Sequence, residues 1–362
     1  MGFFKRLFYV FFVFSMNADH LFAQDNRAFK IFQFPPNMIP TIDGQKGDWE
    51  IVPPEYSVEI NQMFDDRDSG SHAAADAKNL DVKVKVAWVK GLNRLYFLYE
   101  AYDDYWDFSL PDLHNDIFEV IVDGDQSGGP FISSFHPNKK MDSMDAYFSF
   151  QGVHAQNYHI YTPAKGKEWA FVWGNQQWIK TLPYANAAYN YSFNPGQHGW
   201  LTLEFWITPF DYASPEGISR SVESILTENK NIGLSWAVLD YDDVNARVYN
   251  GFWNLSKERT MYGNASFLLP FRLMPLESRF LKSIDAQWSF VITNINDHMV
   301  SFIDESKGDI TSWKWSFGDG QNSIEQHPVH LYSKSGVYTV VLWIEGPAGK
   351  SRMAKVWEVA VK

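Results

Sequence analysis

The stretch VIVDGDQSGGP, residues 120–130, sets Asp123, Asp125 and Ser127 at alternate positions ahead of Gly128. Alternating oxygen-bearing side chains before a glycine suit a hard cation such as calcium, with the glycine closing the turn. An EF-hand loop counted from Asp123 needs glutamate at its twelfth position, where Ser134 stands. The same residues make an ordinary turn at a strand end, so a calcium loop and a solvated turn both stay open. LDYDDVN, with Asp240, Asp242 and Asp243, is a second acidic candidate. Two further carboxylates, Glu119 and Glu204, raise glycoside cleavage, which asks for two carboxyl groups about 5–10 Å apart. Both lie inside strand-like runs, which favours a neighbour or a salt bridge over catalysis. His154 and His159 in VHAQNYHIY are spaced wrongly for one helical face. The sequence shows no zinc-protease, nucleophile-elbow, Walker or Rossmann pattern.

Strands must position these groups. DVKVKVAWV puts Val82, Val84, Val86 and Trp88 on one face and Asp81, Lys83 and Lys85 on the other. RLYFLYEAYDD repeats the pattern with Leu95, Phe97, Tyr99 and Ala101. DIFEVIVDG, DAYFSFQG, EWAFVWG, WLTLEFWI, IGLSWAVLDYD and ASFLLPF follow, each closed by Gly, Asn, Asp or Pro. Many short strands with turn signals between them predict an all-β fold, a β-sandwich or barrel. A short helix is expected only over residues 215–228. Strand texture stops at Phe271, a polar connector follows over residues 272–285, and a second β-rich block runs over 286–362. The loops between residues 125 and 200 are long and aromatic, the place where binding usually resides on a rigid sandwich.

Composition narrows the function. Aromatic residues make up 17% of the chain, more than a core alone normally uses, which leans toward a binding surface. A net charge of −12 disfavours nucleic acid and polyanions and leaves neutral ligands and cations. Lys5 and Arg6 precede an apolar run from Leu7 to Met16, and Leu21-Phe22-Ala23 resembles a signal-peptidase site. That run is shorter than the roughly 20 residues of a membrane-spanning helix. It predicts a signal peptide over residues 1–23, cleaved near Ala23, and a protein secreted to the periplasm, outer surface or medium. The chain has no cysteine, so disulfides and thiolate sites are excluded and a lipoprotein is not expected.

The C-terminal block resembles the PKD domain, an immunoglobulin-like β-sandwich. The residues carrying the resemblance are Trp315, Phe317-Gly318-Asp319-Gly320, His330, Tyr332, Gly336, Tyr338-Thr339-Val340 and Leu342. It implies a spacer or accessory module, with Asp319 and His330 as turn and packing residues.

Residues 24–271 are similar to carbohydrate-binding modules of family 9 and their DOMON-like relatives. PTIDGQKGDWEIVP matches the opening turn, and HNDIFEVIVDGD the strand carrying Asp116, Glu119 and Asp123. WLTLEFWITP matches a strand whose glutamate, here Glu204, faces inward. The resemblance implies a sugar gripped by two loop tryptophans, here Trp106 and Trp253, with Trp173 and Trp178 of VWGNQQW as second candidates. Asp103, Asp104 and Asn115 would bond its hydroxyls. It also implies a structural calcium, with no other cofactor required. The expectation is a secreted, non-catalytic protein that binds polysaccharide or oligosaccharide and works beside cell-surface glycan-handling proteins in polysaccharide utilisation. The alternatives are an exported glycoside hydrolase and a structural surface-adhesion protein.

Overall fold

The alternating runs fold as strands because each can bury one set of alternate residues against a second sheet. The computed structural model describes residues 28–66, 76–129, 152–243, 246–256, 258–294 and 296–361. The expected signal peptide and the DAYFSFQG strand lie outside the described residues. The chain divides into two compact units, Met1–Pro275 and Leu276–Lys362.

The strands of the first unit are β1 (Phe29–Gln33), β2 (Ser57–Glu59), β3 (Phe64–Asp65), β4 (Leu80–Trp88) and β5 (Leu95–Asp103). They continue with β6 (Ile117–Asp123), β7 (Gln156–Tyr161), β8 (Ala170–Val172), β9 (Ala185–Asn190) and β10 (Gly199–Ile207). A small hairpin, β11 (Phe210–Tyr212) and β12 (Val222–Glu223), precedes β13 (Asn231–Asp240), β14 (Gly251–Asn254) and β15 (Leu269–Leu273). The strand order is β8-β7-β6-β13-β15-β1-β4-β5-β10-β9. β1 turns the corner: its first half pairs with β15 and its second half, Phe32 and Gln33, with β4. The result is two layers, β8-β7-β6-β13-β15 and β4-β5-β10-β9.

Their facing sides form one core. Val82, Val84, Val86, Phe97, Tyr99, Leu203 and Phe205 from one layer meet Phe118, Val120, Tyr158, Leu234 and Trp236 from the other. Tyr99 stacks on Phe118 across the gap at 4.4 Å between ring centroids. Residues 215–228 do not form the expected helix. They hold a single 3₁₀ turn, Ile218–Arg220, and strand β12, because Gly217 enters the turn at φ 103°. One turn cannot repeat the i→i+4 bonds that sustain an α-helix.

The outward side of the second layer is half covered. Glu204 lies opposite in parity to Leu203 and Phe205, so it faces away from the core, not inward as expected, yet it is fully buried. The segment from Asp43 to Trp49 lies over it. Backbone N–H groups of Asp43, Gly44 and Gln45 donate to Oε2 at 3.2, 2.8 and 3.0 Å, and the Trp49 indole donates to Oε1 at 2.8 Å. Lys85, two strands away in the same row, donates to the Trp49 and Val52 carbonyls. Gly44 sits at φ +82°, and a Cβ there would come within 2.7 Å of the Tyr189 carbonyl carbon. Only glycine fits.

The second unit pairs β16 (Trp288–Asn294), β17 (Met299–Asp304) and β20 (Val329–Leu331) in one sheet. The other holds β18 (Ser312–Ser316), β19 (Asn322–Ser323), β21 (Gly336–Gly346) and β22 (Gly349–Val361). Trp288, Phe302, Trp315 and Leu342 fill the space between them. The Phe317–Gly320 turn is locked by packing. Gly318 has φ +84°, Asp319 pairs with His330 Nε2 at 2.7 Å, and His330 stacks on Phe317 at 4.0 Å. The Tyr332 hydroxyl donates to the Phe317 carbonyl at 3.0 Å.

Gly44→Ala is expected to destabilise the first unit by about 2 kcal/mol, and Glu204→Ala by about 3 kcal/mol. Urea unfolding checks both; wild-type midpoints in either variant would refute the packing account of this loop.

Candidate functional site

A stacking platform needs a ring face open to solvent. Trp106 has none: it is 1% exposed, stacks on Phe193 at 5.0 Å and 2°, and donates to the Gly199 carbonyl. Trp253 is 7% exposed and belongs to the same core. Trp178 is half-buried against Tyr184 and Phe210, with its N–H on the Ser214 carbonyl. Trp173 is half-buried and meets Phe171 and His159 edge-on. The expected hydroxyl partners divide as well. Asp104 is exposed, whereas Asp103 and Asn115 are buried. Asn115 is held by Leu110, Asp112 and Lys167. Trp106 and Trp253 therefore form no open cleft: the loop that carries Trp106 and strand β14, which carries Trp253, turn both rings into the core.

Glu119 and Glu204 do not form a pair either. Each points to the outside of its own layer, with the core between them, and each is held locally. Glu119 accepts from Asn157 at 2.9 Å, and burial pushes its carboxyl up to about 7.

The VIVDGDQSGG loop is a self-bonded turn. Asp123 accepts from the N–H groups of Ser127 and Gly128 at 3.3 and 2.8 Å, and Asp125 from Ser127 at 3.0 Å. Burial, with a hydrogen bond shared with Asp125, holds Asp123 up at about 6.

A tighter acidic group stands at the opposite rim of the sandwich. Asp103 ends β5, Asp116 precedes β6 and Asp240 ends β13; all three are buried, and carboxylate oxygens from each lie within 4.8 Å of one another. Asp103, Asp104 and Asp242 form a second such group that shares Asp103. Asp103 lies two and four residues from Ala101 and Tyr99 on the inner face, and Asp116 lies two before inward-facing Phe118, so period-2 geometry aims both between the layers. Asp116 accepts from the N–H groups of Asp107 and Tyr241 at 2.6 and 2.8 Å. Asp240 accepts from Asn79 at 3.0 Å. Burial, then mutual repulsion with Asp240, pushes Asp103 up to about 9; burial and the Asp103 charge raise Asp116 well above the usual range. The Tyr99 hydroxyl is fully buried without a protein partner, and the charges that raise it, after burial, are those of Asp103, Asp116 and Asp240.

The outward side of β4-β5-β10 beyond the Glu204 loop is open. Trp200 is 58% exposed, the one tryptophan among the described side chains that is exposed. It pairs directly with Tyr102 across β10 and β5, with ring centroids 5.6 Å apart, and Tyr102 pairs with Asp81 on β4. The next row is Thr202, Glu100 and Lys83, and Lys46 from the pinned loop meets Glu100 at 2.7 Å. Lys46, Asp81, Lys83, Glu100 and Trp200 line an open depression of ≈400 Å³. The sequence carried a signal for it. In GWLTLEFWI, Trp200 shares the parity of Thr202 and Glu204, opposite the apolar set Leu201, Leu203 and Phe205.

Comparison with known proteins bears first on the second unit. Residues 293–361 match the family model of the PKD domain. The C-terminal unit carries a PKD domain. The chain is also similar to collagenase ColQ1 of Bacillus cereus, 44% identical over 46 residues, which are 13% of this chain and 5% of that protein. Collagenase ColA of Bacillus cereus is 44% identical over 43 residues, 12% of this chain and 4% of that protein. The match thus spans about a twentieth of the collagenases' length. The PKD1 domain of the Vibrio cholerae metalloprotease PrtV aligns with 20% of this chain and 93% of its own, at 26% identity and a TM-score of 0.19. A family 9 carbohydrate-binding module from Caldicellulosiruptor kristjanssonii, solved with cellotriose, aligns with 70% of this chain and 98% of its own, at 13% identity and a TM-score of 0.42.

The acidic rim makes stability depend on pH. Asp103 binds its proton more tightly folded than unfolded, where an aspartate titrates near about 4. Its cost is therefore absent below about pH 4 and grows as pH rises toward its folded value of about 9. Asp103→Asn keeps an acceptor for the Tyr105 N–H and removes the charge. In chelator at pH 8 this variant is expected to exceed wild type by on the order of 2 kcal/mol, with the gap closing at pH 4. Equal denaturation midpoints at both pH values would contradict it.

Proposed function

We propose that the protein is an exported, non-catalytic glycan-binding protein whose first unit holds neutral sugars on Trp200, with the PKD domain as spacer or accessory module. The observation that carries this is the exposed Trp200 ring beside Tyr102, above a depression lined by two acids and two lysines. Sugar rings present apolar C–H faces that lose water on an indole, while hydroxyls at the ring edge bond to carboxylates and ammonium groups. Lys46 and Lys83 balance Asp81 and Glu100, so the lining favours a neutral ligand.

A hard divalent cation such as calcium is the second part of the reading, held by Asp103, Asp116 and Asp240. The donor set fits: oxygens from three strand ends, buried, mutually repelling, with the Tyr99 hydroxyl facing the same charges. A bound cation would supply the opposite charge that these carboxylates otherwise lack and tie the two layers together at that rim.

The test of the sugar reading is affinity electrophoresis of the full chain in gels containing cellulose derivatives, xylan, mannan or laminarin. At least one gel is expected to retard the wild type, and Trp200→Ala to weaken that binding about tenfold or more, while Trp253→Phe, which keeps the core largely filled, leaves sugar binding unchanged. No retardation in any gel, or full binding by Trp200→Ala, would refute the site; release of reducing ends would favour hydrolysis instead. For the cation, millimolar calcium is expected to raise the melting temperature at pH 8 in wild type and not in Asp103→Asn. A melting temperature unmoved by calcium and chelator would remove the cation from the account.

A further inference from the structure

We infer that the PKD unit carries a binding surface of its own, for an acidic polysaccharide whose sugars bear carboxylates, on the outward face of β18, β21 and β22. It does not rest on the Trp200 reading, and it gives this unit a role beyond that of a spacer. Trp315, Leu342 and Ile344 of this sheet are buried in the core, so period-2 alternation turns Lys314, Trp343 and Arg352 outward. Lys314 pairs directly with Trp343, and Trp343 with Arg352, so the three stand in one cross-strand row. Lys314 and Arg352 are exposed and Trp343 is half-buried. The next row is Ser312, Glu345 and Lys350, in which Glu345 already meets Lys350 at 3.1 Å. Among the described residues, Lys314 and Arg352 have no carboxylate partner.

On a chain of net charge −12, a row that sets two cations about an indole is a local reversal of sign. A depression of ≈240 Å³ lies against Lys314, Trp343 and Lys350. The two residue types ask for different things of a ligand. An indole takes the apolar C–H face of a sugar ring, whereas ammonium and guanidinium groups take a carboxylate, Arg through two parallel N–H bonds. A uronate sugar offers both on one residue, a ring face and a carboxylate at its edge. An acidic peptide satisfies the cations but brings no sugar face to the indole. Lys314 and Arg352 stand two strands apart, about 10 Å at the usual strand spacing, so a short stretch of polymer can meet both with a sugar on Trp343 between them.

The experiment is affinity electrophoresis of the full chain in gels holding polygalacturonate, alginate, methyl-esterified pectin or polyglutamate. Chelator is present throughout, so that no divalent cation bridges carboxylates. Polygalacturonate or alginate is expected to retard the wild type at least about fivefold more strongly than esterified pectin, which keeps the sugar rings and loses the charge. Trp343→Ala is expected to weaken that binding about tenfold. Lys314→Gln combined with Arg352→Gln, two exposed changes that leave the core intact, should weaken it as much or more. Trp200→Ala should leave it unchanged, so this surface and the Trp200 site stand or fall separately. No retardation by either uronate polymer, retardation that survives both sets of changes, or its loss in Trp200→Ala would overturn the inference. Equal retardation by polyglutamate would overturn it in favour of charge alone, and equal retardation by esterified pectin in favour of a neutral glycan.

Discussion

The buried carboxylate of Glu204 is the interaction on which the layout of the first unit turns. A carboxylate out of water is costly unless its oxygens are filled, and here three backbone N–H groups and one indole N–H fill them. The same four bonds fix where the Asp43–Trp49 segment lies. That segment covers one half of the outward sheet face, leaves the other half bare, and brings Lys46 to Glu100 at the border. Without Glu204 the cover keeps only the Lys85 bonds to the Trp49 and Val52 carbonyls, the buried Trp49 ring and Lys46 on Glu100.

One strand serves both chemical regions. β5 ends in Tyr102 and Asp103, and because side chains alternate, Tyr102 joins the outer aromatic row while Asp103 enters the acidic group between the layers. The proposed sugar platform and the proposed cation site thus share a backbone without sharing a surface. A cation drawn to Asp103, Asp116 and Asp240 would stiffen the end of the strand that presents Tyr102. That is a physical reason for both to occur at the same rim.

Much of the fold was legible from the residues. Val82, Val84, Val86 and Trp88 announce a strand with one buried face, and Phe317-Gly318-Asp319-Gly320 with His330 and Tyr332 announces the C-terminal sandwich. Faces were less legible than strands. The family resemblance implies an inward Glu204, whereas the parity of its own strand puts it outward, and only the distant Asp43–Trp49 segment explains how an outward glutamate is buried. The tryptophans show the same limit. Trp106 and Trp253 stand in polar, loop-like stretches, yet Phe193 stacks on Trp106 from more than eighty residues away in sequence, which no local pattern encodes. The parity of GWLTLEFWI puts Trp200 on the outward face, but Glu204 and Trp206 share that face and are buried, so parity names the face and not the exposure. The acidic group needed three strand ends brought together, whereas Asp123, Asp125 and Ser127 had the right local spacing but spend it on their own turn.

The most direct measurement is a crystal structure of the mature chain with a neutral hexasaccharide bound. The account predicts sugar density stacked on Trp200, continuing past Tyr102, with hydroxyls on Glu100 and Lys46. Density at the Trp106–Trp253 rim, with Trp200 left bare, would contradict it.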